Sequence, residues 1–449
     1  MRQPLHALRP GAAGPAAVLL LTAATLLPAP AAAAVAPADL EARCAAVDAR
    51  VIEWRRDLHQ HPELSNREVR TAAKVAEHLR GLGIEVETGI AHTGVVGLIE
   101  GARPGPVVAL RADMDALPVT ERVDLPFASK ETATYAGQTV GVMHACGHDA
   151  HVAILMGVAE VLAGLRAELP GTVKLIFQPA EEGPPEGEEG GAELMVAEGV
   201  LADPEVDVIF GLHMAADRDV GTLWTRPGAL MASADDFRIV VDGKQTHGSR
   251  PWAGVDPIVT AALIVNGLQT IVSRQLELTE SAAVVTVGSI HGGVRSNIIP
   301  EEVEMVGTVR AFDDAMRGRI HDRVRRIATT VADSMGATAE VTIPLTTSYP
   351  VTANDAALLA RMMPSLEAAA GPGNVRTLNP ITGAEDFSFF AREVPGLFLF
   401  LGGKPLAVAA EDAAPHHTPD FFLDESGFAL GVRALTRLTL DYLAAEAGR

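Results

Sequence analysis

Residues 143–151, MHACGHDAH, place a thiol and an imidazole two positions apart, Cys146 and His148, between His144 and His151. Sulfur and nitrogen donors suit borderline-soft divalent ions such as zinc. A complete site needs three or four donors, and this stretch alone is as compatible with a buried thiol among chance histidines. Other candidates stand far away in the chain: Glu181 and Glu182 in QPAEEG, His213 in GLHM, and His416 and His417 in HHTPDF. Together they offer the mixture of S, N and O donors used by two-metal hydrolases, where cations ~3.5–4 Å apart lower the pKa of a shared water and polarise a carbonyl. If Glu182 binds metal, its neighbour Glu181 is free to take the proton from that water. Taken alone, the acidic pair reads more readily as a solvated start to an acidic loop.

Elements must bring these residues together. Apolar runs at 95–99, 107–110, 173–177, 206–210 and 397–401 read as buried strands. Helical spacing covers 39–58, and a second helix is expected from Ser65, with Glu68 completing a capping box, to Gly81 and Gly83. Alternation of the two kinds predicts an α/β fold with a mostly parallel sheet covered on both faces. RADMDALP, QPAEEG and GLHM each follow one of the strands, and in open α/β sheets the ligand crevice lies beyond the strands' carboxyl ends. From Ala229 the pattern changes. A strand at 235–241, a helix capped by Asp256, strands at 282–290 and 302–309, a helix capped by Asp313 and a strand at 339–343 give the β-α-β-β-α-β order of a ferredoxin-like α+β unit. The expected organisation is a catalytic domain over 35–228 and 346–449, interrupted by an inserted domain over 229–345. Residues 183–191, GPPEGEEGG, read as a mobile acidic loop beside the site.

Composition narrows the partners. A chain of 449 residues with 48% hydrophobic positions can bury a large core, and a formal net charge of −21 without any basic run argues against nucleic acid. Arg2, His6 and Arg9 precede AAVLLLTAATLLPAPAAAA, which ends in small residues and is broken by Pro28 and Pro30. Residues 1–34 therefore read as a cleaved export signal, leaving a periplasmic or secreted protein with no stable membrane anchor. Outside the cytoplasm Cys44 and Cys146 could pair, but a disulfide would consume the thiol of the metal-like motif.

RADMDALPV, MHACGHDAH, QPAEEG, GLHM and HHTPDF, in that order around an insert, resemble the two-metal amidohydrolases that include hippurate hydrolase, N-acyl-amino-acid amidohydrolases and auxin-conjugate hydrolases, a branch of the aminoacylase and carboxypeptidase superfamily. The resemblance implies Cys146, His148, Glu182, His213 and His417 as ligands of two divalent ions (Zn, Mn or Co), with the sulfur bridging. It makes Glu181 general base and then acid, and gives Asp115 the task of orienting a ligand or tuning the base. His417 is preferred to His416 because it directly precedes Thr418-Pro419. Asp113 departs from the wider family, which carries a metal-binding His there, so a metal at that position must be held differently.

In the insert, His247 (QTHGSRPW), Asn297 (RSNIIPEE) and Arg310 (GTVRAF) resemble lid residues of a domain that dimerises. His247, usually from the partner subunit, and Asn297 would stabilise the oxyanion, with one well-placed donor worth ~3 kcal/mol. Arg310 would grip the carboxylate of an amino-acid product. Glu385 and Asp386 in GAEDFSFF are expected near the pocket floor, Glu385 as a substrate contact, with a helix cap an equal reason for Asp386. The implied reaction is hydrolysis of the amide of a small-molecule N-acyl or N-aroyl amino acid by a homodimer. A dipeptidase or carboxypeptidase, and a non-catalytic periplasmic binding protein on the same scaffold, are the alternatives.

Overall fold

The computed structural model describes residues 36–346 and 348–447, so the expected signal segment lies outside the described residues. An eight-stranded sheet organises the larger part, in the order Glu85–Ile90, Gly94–Glu100, Pro170–Gln178, Arg103–Asp113, Val208–Asp219, Gly396–Lys404, Leu223–Thr225 and Val375–Thr377. Its four middle strands, from Pro170–Gln178 to Gly396–Lys404, run parallel, and antiparallel pairings flank them on both sides. The middle strands are mostly apolar because both faces are buried, with successive side chains pointing to opposite sides. Val108, Leu110, Val173, Leu175, Phe177, Phe210, Leu397 and Leu399 join a core beneath the helices Pro37–Gln60, His148–Ala163 and Phe428–Ala447. Ala109, Ile176, Ile209, Phe398 and Phe400 face a second core on the other side. Each fully buried Val, Leu, Ile or Phe among them contributes about 1.5–3 kcal/mol.

The inserted unit has its own core. Its four-stranded antiparallel sheet runs in the order Ala283–Gly292, Glu302–Ala311, Asp235–Asp242 and Thr338–Thr342, the ferredoxin-like arrangement, with helices Pro257–Thr270 and Asp314–Ser334 packed into the same core. Both helix starts are as expected: Asp256 accepts hydrogen bonds from the Ile258 and Val259 amides, and Asp313 from that of Met316. The chain's two passages between the units pair with each other, Ala234 and Tyr349 exchanging backbone hydrogen bonds of 3.0 and 2.9 Å.

Three local expectations are corrected. The second helix is Val69–Gly81, and no capping box forms. Ser65 donates to Asp115 instead, while the Glu68 carboxylate accepts from the Asn66 and Ala180 amides and the Thr93 hydroxyl. The strand expected at 206–210 runs from Val208 to Asp219, so GLHM lies within it rather than after it. A strand buried on both faces carries no polar punctuation to mark its end. The acidic loop is tied down at its far end, where Glu188 pairs with Arg67 and the Glu189 carbonyl accepts from Asn66.

Candidate metal centre

Gly147 makes the motif work locally. It adopts φ 100°, and a Cβ there would come within 3.1 Å of the Met214 side chain. This left-handed residue turns the chain between Cys146 and the helix that begins at His148. Cys146 Sγ then lies 3.4 Å from His213 Nε2 and 3.3 Å from His417 Nε2. His417 Nε2 is 3.0 Å from Glu182 Oε1, and His148 Nε2 is 3.7 Å from Glu181 Oε2 and 3.9 Å from Glu182 Oε1. Donor atoms of three overlapping sets, Cys146 with His148 and His213, Cys146 with Glu182 and His417, and His148 with Glu181 and Glu182, each fall within 4.8 Å of one another. Overlap through Cys146 and Glu182 is what two neighbouring cations would require. The two cysteines are both free, so the thiol is available to metal.

Besides His417, five histidines crowd here, and hydrogen bonding separates them. His148 Nδ1 faces Asp115 Oδ1 at 3.2 Å and His213 Nδ1 faces the Met214 carbonyl at 2.6 Å. An N–H must point at each oxygen, which leaves both Nε2 lone pairs aimed into the cluster, the arrangement of a metal-ligating imidazole. His148 Nε2 is buried without a hydrogen-bond partner. His151 differs: its Nδ1 is 2.5 Å from Asp113, and its Nε2 accepts from the Met214 amide. His416 Nε2 accepts from the Ala216 amide. His144, wholly buried, contacts none of the cluster donors through a hydrogen bond.

Charge makes the same demand for cations. Burial, followed by Glu385 and Glu182, pushes the Glu181 carboxyl well above its usual range, and burial with Glu182 and Glu181 pushes the Cys146 thiol up. Burial opposes charge on His148, yet Asp113 and Asp115 outweigh it and raise that imidazole to about 10. The protein groups alone thus call for positive charge at this spot, and divalent ions answer it. One cation is built in: Arg111, fully buried, donates to Gln178 at 2.7 Å, Asp113 at 2.6 Å and Asp386 at 2.8 Å, and pairs with Glu385 at 2.9 Å.

A cleft of about 1490 Å³ opens over the cluster, with Arg310 and Asp236 of the insert on one side and Trp224, Leu378, Ile381 and Phe400 among its apolar walls. The model of peptidase family M20/M25/M40 matches residues 109–441. The chain belongs to this family. It is 41% identical over 393 residues to thermostable carboxypeptidase 1 of Saccharolobus solfataricus, covering 87% of this chain and 95% of that one. It is 39% identical to the N-acetylcysteine deacetylase of Bacillus subtilis, covering 88% and 97%. A crystal structure from Bacillus subtilis described as a dinuclear metal-binding peptidase of the M20 family superposes with a TM-score of 0.72 at 37% identity, covering 89% and 99%. The M20 protein described here is a metal-dependent amidohydrolase with a site for two divalent ions, which sets aside the non-catalytic alternative.

Other expected site residues divide. Asp115 supports the site from behind, accepting from Ser65 and the Glu182 amide besides facing His148. Glu385 lines the cleft but its carboxylate is engaged by Arg111 and the Phe387 amide, so its first task is to balance a buried guanidinium. Asp386 does not cap its helix; it binds Arg111, Gln178 and the Ala192 amide. Asp113 is occupied by Arg111 and His151. His247 and Asn297 are exposed on the insert and do not line the cleft of their own chain. Sequence reasoning missed Arg111, Glu68 and Tyr349. A charged residue directly after the apolar run 107–110 was the available signal for Arg111; Glu68 was read as half of a capping box, and Tyr349 carried no signal.

Proposed function

We propose that this amidohydrolase cleaves the amide of an N-acyl or N-aroyl amino acid. Arg310 carries the reading: it is half-buried on the cleft wall and has no ion-pair partner among the described residues, as a guanidinium waiting for a substrate carboxylate would be. Trp224, Leu378, Ile381 and Phe400 offer the acyl group an apolar lining. When bound, the two ions polarise the scissile carbonyl and make the attacking water more acidic. Glu181 takes the proton of that water and delivers it to the leaving amine, while Asp115 holds His148 and the Glu182 amide in place.

His247 belongs to the same reading through a second copy of the chain. Its Nδ1 accepts from the Ser249 amide, so Nε2 carries the proton and is an outward-facing donor suited to an oxyanion in a partner's cleft. The insert offers a surface for that partner: Ile258, Val259 and Leu263 are exposed on one helix, and Ala283–Gly292 is an edge strand. Export through residues 1–34 completes the proposal, placing a mature, unanchored enzyme in the periplasm or outside the cell.

Metal analysis followed by rates on a panel of acyl-amino acids and dipeptides tests the substrate. Two ions per chain with preference for acyl-amino acids is expected; faster turnover of dipeptides would replace this reading by the peptidase one, which the carboxypeptidase relative favours. Mixing Glu181→Gln with His247→Ala protein should restore activity if His247 serves the partner. N-terminal sequencing of the protein from its host should begin near residue 35.

A further inference from the structure

The backbone that carries Glu181 is held from three sides. Ala180 before it sits at φ 54°, a conformation non-glycine residues rarely adopt, and its amide donates to the buried Glu68 carboxylate at 2.9 Å. The Glu182 amide after it donates to Asp115 at 3.0 Å. Its own carbonyl accepts from the Tyr349 hydroxyl at 2.7 Å. Glu68 and Asp115 belong to the catalytic unit, but Tyr349 lies on the chain's passage back from the insert. There it pairs with Ala234 on the outgoing passage, and its neighbour Ser348 bonds Asp235 and Arg317 at the base of the insert. The ring is steadied edge-on against Phe389, 6.2 Å between centroids.

We propose that Tyr349 is a positioning residue that ties the orientation of the inserted domain to the aim of Glu181. A rotation of the insert about its paired passages must either carry Tyr349, and with it the Glu181 carbonyl, or break the hydrogen bond. Catalytic geometry is sensitive to displacements of about 1 Å, so this one contact makes proton transfer depend on where the insert stands. The inference rests on Glu181 being the base.

Tyr349→Phe keeps the ring against Phe389 and deletes only the hydroxyl. On the best acyl-amino acid of the panel it should lower kcat about three- to ten-fold, the worth of one hydrogen bond, with KM, melting temperature and metal content unchanged. Ser348→Ala loosens the same passage without touching Glu181. It should lower kcat in the wild type and have little further effect in Tyr349→Phe, because the link it acts through is already cut. Unchanged kcat in Tyr349→Phe, a KM rising in step with the loss, or additive effects in the double variant would each overturn the proposal. Failure of the wild type on every amide would instead sink the substrate reading, so the two failures are told apart.

Discussion

Glu181 and Glu182 are adjacent and chemically identical, yet the site gives them different surroundings. Glu182 meets His417 and neighbours the Cys146 thiol, whereas Glu181 stands beside Glu385 and Asp386 under an almost fully buried carboxylate cluster. Both still reach His148, whose Nε2 is 3.7 Å from Glu181 Oε2 and 3.9 Å from Glu182 Oε1, so the difference lies in their other neighbours. Glu181→Gln should therefore abolish turnover while both ions remain bound, as measured by activity against metal content; activity surviving the change would remove Glu181 from the role of base. The histidine pair is separated by the same kind of argument. His416 has spent its Nε2 lone pair on the Ala216 amide, so His417→Ala should lose about one ion per chain whereas His416→Ala should retain both. The motif had already singled out His417 by its place before Thr-Pro; its contacts supply the physical reason.

Among elements, the strand Asp235–Asp242 begins with a buried acid. Burial works against the Asp235 charge, but hydrogen bonds from Arg317, His321 and Ser348 outweigh it and hold the carboxyl well below its ordinary value of 3.8. A depressed folded pKa contributes stability that is present above the unfolded value and lost as pH falls through the folded one. Asp235→Asn should cost about 3 kcal/mol at neutral pH, because it strands the Arg317 charge, and should flatten the acid limb of stability below pH ~4. Urea midpoints measured against pH would show both effects. Elements were legible in the sequence wherever a local signal decided them: Asp256 and Asp313 cap helices because their partners lie two or three residues on. Ser65 and Glu68 had the same spacing, but Asp115 and Ala180, distant in the chain, compete for them and win.

At the scale of the whole molecule, two bound ions would join the end of one strand, the middle of another, a helix start and a C-terminal loop that nothing covalent brings together. Since metal binds this arrangement and not the unfolded chain, it stabilises the fold by mass action. Dialysis against a chelator should remove all activity and lower the melting temperature, and divalent ion added back should restore both. Activity unaffected by complete metal removal, confirmed by elemental analysis, would contradict the family chemistry.

By itself the sequence determined the α/β architecture and the ferredoxin-like insert, and it offered the candidate donors of the metal centre. These follow from periodicity, capping and residue chemistry, which act over a few positions, and from motifs whose order is linear. Only the tertiary structure decided which nitrogen of each histidine is free, that Arg111 neutralises Asp113, Glu385 and Asp386, and that Glu68 and Tyr349 hold the backbone of Glu181. Those are hydrogen bonds between segments tens to hundreds of residues apart, and no local pattern records a partner chosen by folding.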